Sequence, residues 1–146
     1  MRVLDKYFEA LRGRDWESLG KCLAEDVHRK GPFFDVIRGR QAYVEFLSGV
    51  IPTLRNYQLR VRRVRKINTN SAVVELSEFV DVGGVRTEFP EVLLFDFDKA
   101  GSILGIDIYI KQPPPRRAPR TNSPKRKSRN RSFPAGGDRS RRPTSR

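Results

Sequence analysis

Apolar residues in the first fifty positions recur every three or four places. Val3, Leu4, Tyr7, Phe8 and Leu11 fall on one helical face, so a first helix is expected from about Val3 to Arg12, ended by Gly13. Asp15 stands where an N-cap belongs, with Glu17 in the electropositive first turn behind it. A second helix follows, with Trp16, Leu19 and Leu23 as its apolar stripe and Cys22 as a small core residue beside them. "VHRK" reads as a short strand stopped by Gly31-Pro32. A third helix begins near Gly39, carries Tyr43, Phe46, Leu47 and Val50, and closes at Pro52.

From Tyr57 onward the period changes to two. "YQLRVRRVRKIN" alternates and then slips at Arg62-Arg63, which points to a bulge. "SAVVELSEFVDV" and "VRTEFPEVLLFDF" flank Gly83-Gly84, a two-residue hairpin signal. "DKAG" is the next turn and "SILGIDIYI" the last strand. Three helices with one short strand among them, then four long antiparallel strands, predict an α+β domain: a curved sheet with helices on one face.

The charge is unevenly spread. Net charge is +13, yet residues 113–146 hold twelve of the thirty Lys and Arg against one of the seventeen acids, so the body carries only +2. Phe133 is the one large apolar side chain in that tail, which is otherwise rich in Pro, Ser, Arg and Gly. Such a composition cannot offset roughly 1–2 kcal/mol of backbone entropy per residue, and a disordered tail beginning at the "QPPP" stop is expected. With no further aromatic residues it offers no base-stacking platform, so any nucleic acid or other polyanion would be held there by charge alone. The domain boundary is expected between residues 112 and 113.

Cys22 and His28 are the only residues of their kinds, so neither an internal disulfide nor a His/Cys metal site is expected, and no cofactor is called for. The chain opens on a helical pattern and has no apolar run near the ~20 residues of a membrane span. A soluble, cytoplasmic protein is the expectation, with nuclear import an option that the tail would serve in a eukaryote.

"YFEALRGRDWESLGKCLAEDV", "GP", "RGRQAYVEFL" and the "GSILGIDIYI" ending resemble the nuclear-transport-factor-two-like superfamily, above all its SnoaL-like branch, over residues 1–112. Ketosteroid isomerases and polyketide cyclases are relatives. The resemblance implies a cone-shaped bent antiparallel sheet wrapped against the helices, an apolar pocket open at one end, and homodimers paired through the outer sheet face. Ketosteroid isomerase uses an Asp base and an oxyanion hole of Tyr and protonated Asp. Tyr7 keeps the family's spacing to Asp15, but Gly31 stands at the base's position and Leu93 at that of the oxyanion acid, so steroid isomerisation is not expected.

The same register puts Phe89, Glu91, Leu93, Phe95 and Phe97 on the inner face of one strand, Val74, Leu76, Glu78, Val80 and Val82 on its neighbour, and Ile106, Ile108 and Ile110 on the last. Glu78 and Glu91 then interrupt an apolar lining as diagonal neighbours across the hairpin. Burial and a like charge raise a carboxyl's pKa, which suits such a pair to general acid–base work. Tyr7, Glu91 and Glu78 are the candidate catalytic residues, and Leu11, Phe46, Leu76, Leu93, Phe95, Ile106 and Ile108 the candidate lining for a small apolar ligand bearing one carbonyl or hydroxyl. The competing readings give each acid an arginine partner, Arg29 or Arg86, or leave Glu78 solvated at the rim. His28, Asp107 and Tyr109 are expected on the outer surface. Arg60, Arg62, Arg63, Arg65 and Lys66 read as a solvated face.

Three functions follow. The first is a cofactor-independent isomerase, cyclase or hydratase. The second is a ligand-binding or dimerisation module without chemistry. The third is a nucleic-acid-associated protein tethered by its tail.

Overall fold

The computed structural model describes residues 1–113. The expected tail from residue 114 onward lies outside the described residues. Helices α1 (Arg2–Gly13), α2 (Trp16–Lys21) and α3 (Arg40–Val50) accompany six strands: β1 (Leu23–Lys30), β2 (Val36–Arg38), β3 (Gln58–Asn68), β4 (Ser71–Val82), β5 (Val85–Phe97) and β6 (Ile103–Ile110). They form one sheet in the order β2-β1-β6-β5-β4-β3. The class is α+β as expected, but the sheet is mixed: β1 runs parallel to β6, and all other neighbours are antiparallel.

The helix ends differ from the sequence reading in two places. The left-handed residue that closes α1 is Arg14, with φ 55°, rather than Gly13. Helix α2 stops at Lys21, because the Cys22 carbonyl accepts from Ile103 N and draws the chain into the sheet beside β6. Leu23 therefore opens β1, which is twice the length of the expected "VHRK". Asp15 caps α2 as anticipated, its carboxylate accepting from Ser18 N at 3.0 Å.

The long strands pair as read. Val82 faces Val85 across Gly83-Gly84, whose φ values of 56° and 77° are the left-handed pair that a tight hairpin turn requires. The expected register shift in β3 falls between Val61 and Arg63, and a second lies between Lys66 and Asn68. The concave face of the sheet receives α1 and α3, and Leu4, Tyr7, Phe8, Leu47, Val74, Leu76, Phe95 and Ile106 make one continuous core there. The register that fixes this face also fixes the site, since Leu76 lies opposite Glu91 and Glu78 opposite Phe89.

Candidate functional site

At the end of the core nearer the Gly83-Gly84 hairpin, the packing leaves a cavity of about 130 Å³. Leu11, Phe46, Leu76, Leu93 and Ile108 line it with Tyr7, Glu78 and Glu91. Phe95 and Ile106, also expected in the lining, stay in the core below, where Phe95 packs edge-on against Tyr7 and Phe8. Three polar residues whose roles the sequence did not disclose complete the site: Arg29 and Tyr43 in the wall and Tyr57 just behind it.

Tyr7 on α1 and Tyr43 on α3 face each other, and their hydroxyl oxygens are 2.7 Å apart, fully buried. Burial pushes the Tyr7 hydroxyl well above its usual range, and the Tyr43 hydroxyl beside it adds to this. Burial raises Tyr43 too, but Tyr7 and the Arg29 charge pull it back. Either hydroxyl can donate to the other, and Tyr43 lies in the cavity wall with Arg29 beside it.

Arg29 alternates inward on β1, between the outward-facing His28 and Lys30. Its guanidinium lies over the Phe46 ring at 4.7 Å, and Nη1 donates to Asp35 Oδ2 at 2.8 Å. Its Nε is buried and meets no protein partner. Asp35 belongs to the loop after β1, which the sequence reading passed over. Its Oδ1 sits 2.1 Å from where a β-carbon on Gly31 would be. The missing side chain at Gly31 thus makes the space that the Asp35 carboxylate fills.

Neither acid takes an arginine as its hydrogen-bond partner. Glu78 accepts instead from the Tyr57 hydroxyl at 2.6 Å, and Arg86 pairs with Asp81. Glu91 is 7% exposed, and its Oε1 is buried with no partner. Burial, then the neighbouring Glu78 charge, push the Glu91 carboxyl up to about 9, with Arg29 pulling the other way. At neutral pH Glu91 is therefore a buried neutral acid, and Glu78 on the adjacent strand accepts from a tyrosine: a donor beside an acceptor.

A larger concavity of about 1180 Å³ lies between α1, α2 and the turn at Asp98–Gly101. It is an open groove that holds neither of the unpartnered buried atoms, both of which belong to the smaller cavity. Among the described residues no cluster of His, Cys, Asp and Glu could hold a metal ion, and no helix is long and apolar enough to cross a membrane. The basic stripe of β3 is largely engaged: Arg62 with Glu88, Arg63 with Glu75, and Arg60 over the Phe79 ring.

A cavity of this kind, closed by α1 and α3 over a bent mixed sheet, defines a class of small-molecule pocket folds. The chain belongs to the SnoaL-like domain family, whose model matches residues 4–106. Curated proteins yield no match by sequence. Among solved structures, a putative ketosteroid isomerase from Kribbella flavida is 26% identical with a TM-score of 0.65, covering 94% of this chain and 92% of that one. An LEH-like epoxide hydrolase of M. tuberculosis is 19% identical with a TM-score of 0.64, over 75% and 80% of the two chains. A putative SnoaL-like polyketide cyclase from Shewanella denitrificans is 13% identical with a TM-score of 0.66, over 75% and 88%.

Proposed function

We propose that the cavity is an acid–base site for a small carbonyl or hydroxyl compound, in which Glu78 takes a proton and Glu91 gives one. The observation that carries this reading is the pair of carboxyls on neighbouring strands, Glu91 buried with its pKa raised and Glu78 steadied by the Tyr57 hydroxyl. In an isomerisation Glu78 removes a proton from one carbon while Glu91 delivers its own to another. The substrate keeps its composition, and the pair resets when the proton gained by Glu78 passes to Glu91. With water or an internal hydroxyl as nucleophile, the same exchange is hydration or cyclisation: Glu78 takes the nucleophile's proton as its oxygen bonds to carbon, and Glu91 protonates the other end. Tyr43, backed by Tyr7, is placed to donate to the oxygen that gains charge.

Size narrows the substrate. Pockets for drug-sized ligands are roughly 300–1,000 Å³, while an apolar cavity of about 150 Å³ holds a molecule the size of benzene. A cavity near 130 Å³ accordingly suits a compound of one small ring or a short chain, not a steroid. Relatives described as a ketosteroid isomerase, an epoxide hydrolase and a cyclase lend the same fold to proton-transfer chemistry.

The test uses 2-cyclohexen-1-one in deuterated water. Enzyme-catalysed exchange of its acidic C–H positions, lost in both Glu78→Gln and Glu91→Gln, is the expected result. Binding without exchange would leave a ligand-binding module and end the catalytic reading.

A further inference from the structure

The Arg29 side chain has an edge whose buried Nε meets no partner, in the wall of a cavity that already contains an acid–base pair. We propose that this edge is a carboxylate clamp, and that the ligand of the cavity is a short hydroxy or unsaturated carboxylic acid. The inference rests on the cavity reading above and goes further by naming the charged group by which the ligand is held.

The geometry supplies three arguments. First, Arg29 is 9% exposed, and its guanidinium plane is set by the Phe46 ring. Asp35 takes Nη1, the nitrogen on the Cδ side, while Nε meets no partner. Nε–H lies on the edge it shares with Nη2, where two parallel N–H bonds match the two oxygens of a carboxylate and a ketone or an alcohol would use one. Second, Asp35 behaves as a removable counterion. Its side chain is 45% exposed, and it lies in the loop between β1 and β2, in space left open by Gly31. An incoming carboxylate can take over the charge of Arg29 while Asp35 turns into solvent, so the exchange leaves no buried charge unpaired. Third, the cavity of about 130 Å³ has room beyond the clamp for a few carbons only. Those carbons lie among Leu11, Leu76 and Leu93 and reach the buried carboxyl of Glu91, the second unpartnered atom of the site.

Crotonate and its neutral isostere crotonamide distinguish a clamp from a generic pocket. The experiment follows the Arg29 Nε–H resonance of the ¹⁵N-labelled full-length chain by NMR during titration with each compound, with Arg29→Lys used for assignment. Reading that one resonance separates the cavity from the arginines of residues 114–146. Crotonate is expected to shift it and to bind at least roughly tenfold more tightly than crotonamide, as a charge-assisted double hydrogen bond requires. Asp35→Asn removes the competitor on an exposed residue. It is expected to tighten crotonate several-fold and to leave crotonamide unchanged. Equal affinity of the two compounds, or an Asp35→Asn effect common to both, overturns the clamp. If crotonamide binds in the cavity and crotonate does not, the clamp falls and the acid–base reading stands. If neither moves Arg29 while cyclohexenone exchange persists, the clamp again falls alone.

Discussion

Glu91 is the residue on which the chemistry turns, and its protonation has a consequence for folding that needs no substrate. An unfolded glutamate titrates near pH ~4.3, whereas burial and the Glu78 charge put the folded value at about 9. Between those limits the folded protein holds a proton that the unfolded chain has lost. Stability is therefore fully present below about pH 4.3, falls as pH rises, and levels off above about 9. The slope is at most about 1.4 kcal/mol per pH unit from this one group. Chemical denaturation from pH 5 to pH 9 is expected to show that decline in the native chain, and Glu91→Gln to flatten it and be the more stable protein at pH 9. A second residue-scale prediction concerns the tyrosine pair. Tyr7→Phe removes the tyrosine partner of the Tyr43 hydroxyl in a buried site, at a cost of about 1–3 kcal/mol. Tyr7→Phe and Tyr43→Phe together should cost less than the sum of the two, which a double-mutant cycle in denaturant measures. Strand alternation made Glu78 and Glu91 legible because it fixes which way a side chain points, and Tyr7 was marked by the family's spacing to Asp15. The sequence left Tyr43 as a core aromatic, since nothing local tells a hydroxyl that meets another hydroxyl from one that meets solvent.

At the level of elements, the hairpin β4–β5 was readable in full. Its glycine pair sets the turn, the turn sets the register, and the register sets Glu78 diagonal to Glu91. The edge formed by β1 and β2 was legible only as the short strand "VHRK", the second half of β1. Its strands depend on partners far away in sequence: β1 joins β6 in parallel, and the three-residue β2 exists only by pairing with β1. The loop between them carries Phe33 and Phe34 exposed at 74% and 99%, with no periodic signal to place Asp35. Arg29 was thus named as a partner for the acids, whereas the fold gives its ion pair to Asp35. Gly31 provides the test at this scale. The three atoms nearest a β-carbon there all belong to the flexible, half-exposed carboxylate of Asp35, and Gly31 is not among the positive-φ residues. Gly31→Ala should therefore fold with little loss of stability yet expel Asp35 from Arg29, reproducing the tighter crotonate binding of Asp35→Asn. Crotonate titration of the alanine variant checks this, and an affinity equal to the native one would count against Asp35 as the occupant of that space.

For the whole molecule, net charge and function separate. The described body carries its acids and bases in near balance, and its β3 arginines are mostly spent on neighbouring acids or on Phe79. The excess of positive charge lies in residues 114–146. Truncation after Gln112 should leave the thermal midpoint nearly unchanged. Binding of the full chain to two unrelated duplexes should be equal for both and fall more than ~100-fold between 50 and 200 mM salt if about five phosphates are contacted. Filter binding at the two salt levels measures it, and a salt-resistant preference for one duplex would give the tail a recognition role. The outer sheet face leaves Val92 and Tyr109 exposed at 38% and 56%. Sedimentation at micromolar concentration is expected to show a homodimer formed through that face, with Tyr109→Glu shifting it to monomer.

The account stands most directly on the charge state of one side chain. Carboxyl ¹³C resonances of the ¹³C-labelled chain, followed from pH 4 to pH 10 with Glu91→Gln to identify the signal, report it without any ligand. The account predicts that Glu91 is neutral at pH 7 and titrates near 9. A Glu91 carboxylate already ionised at pH 7, with its midpoint in the ordinary carboxylate range near ~4.3, would contradict the acid–base pair and the function built on it.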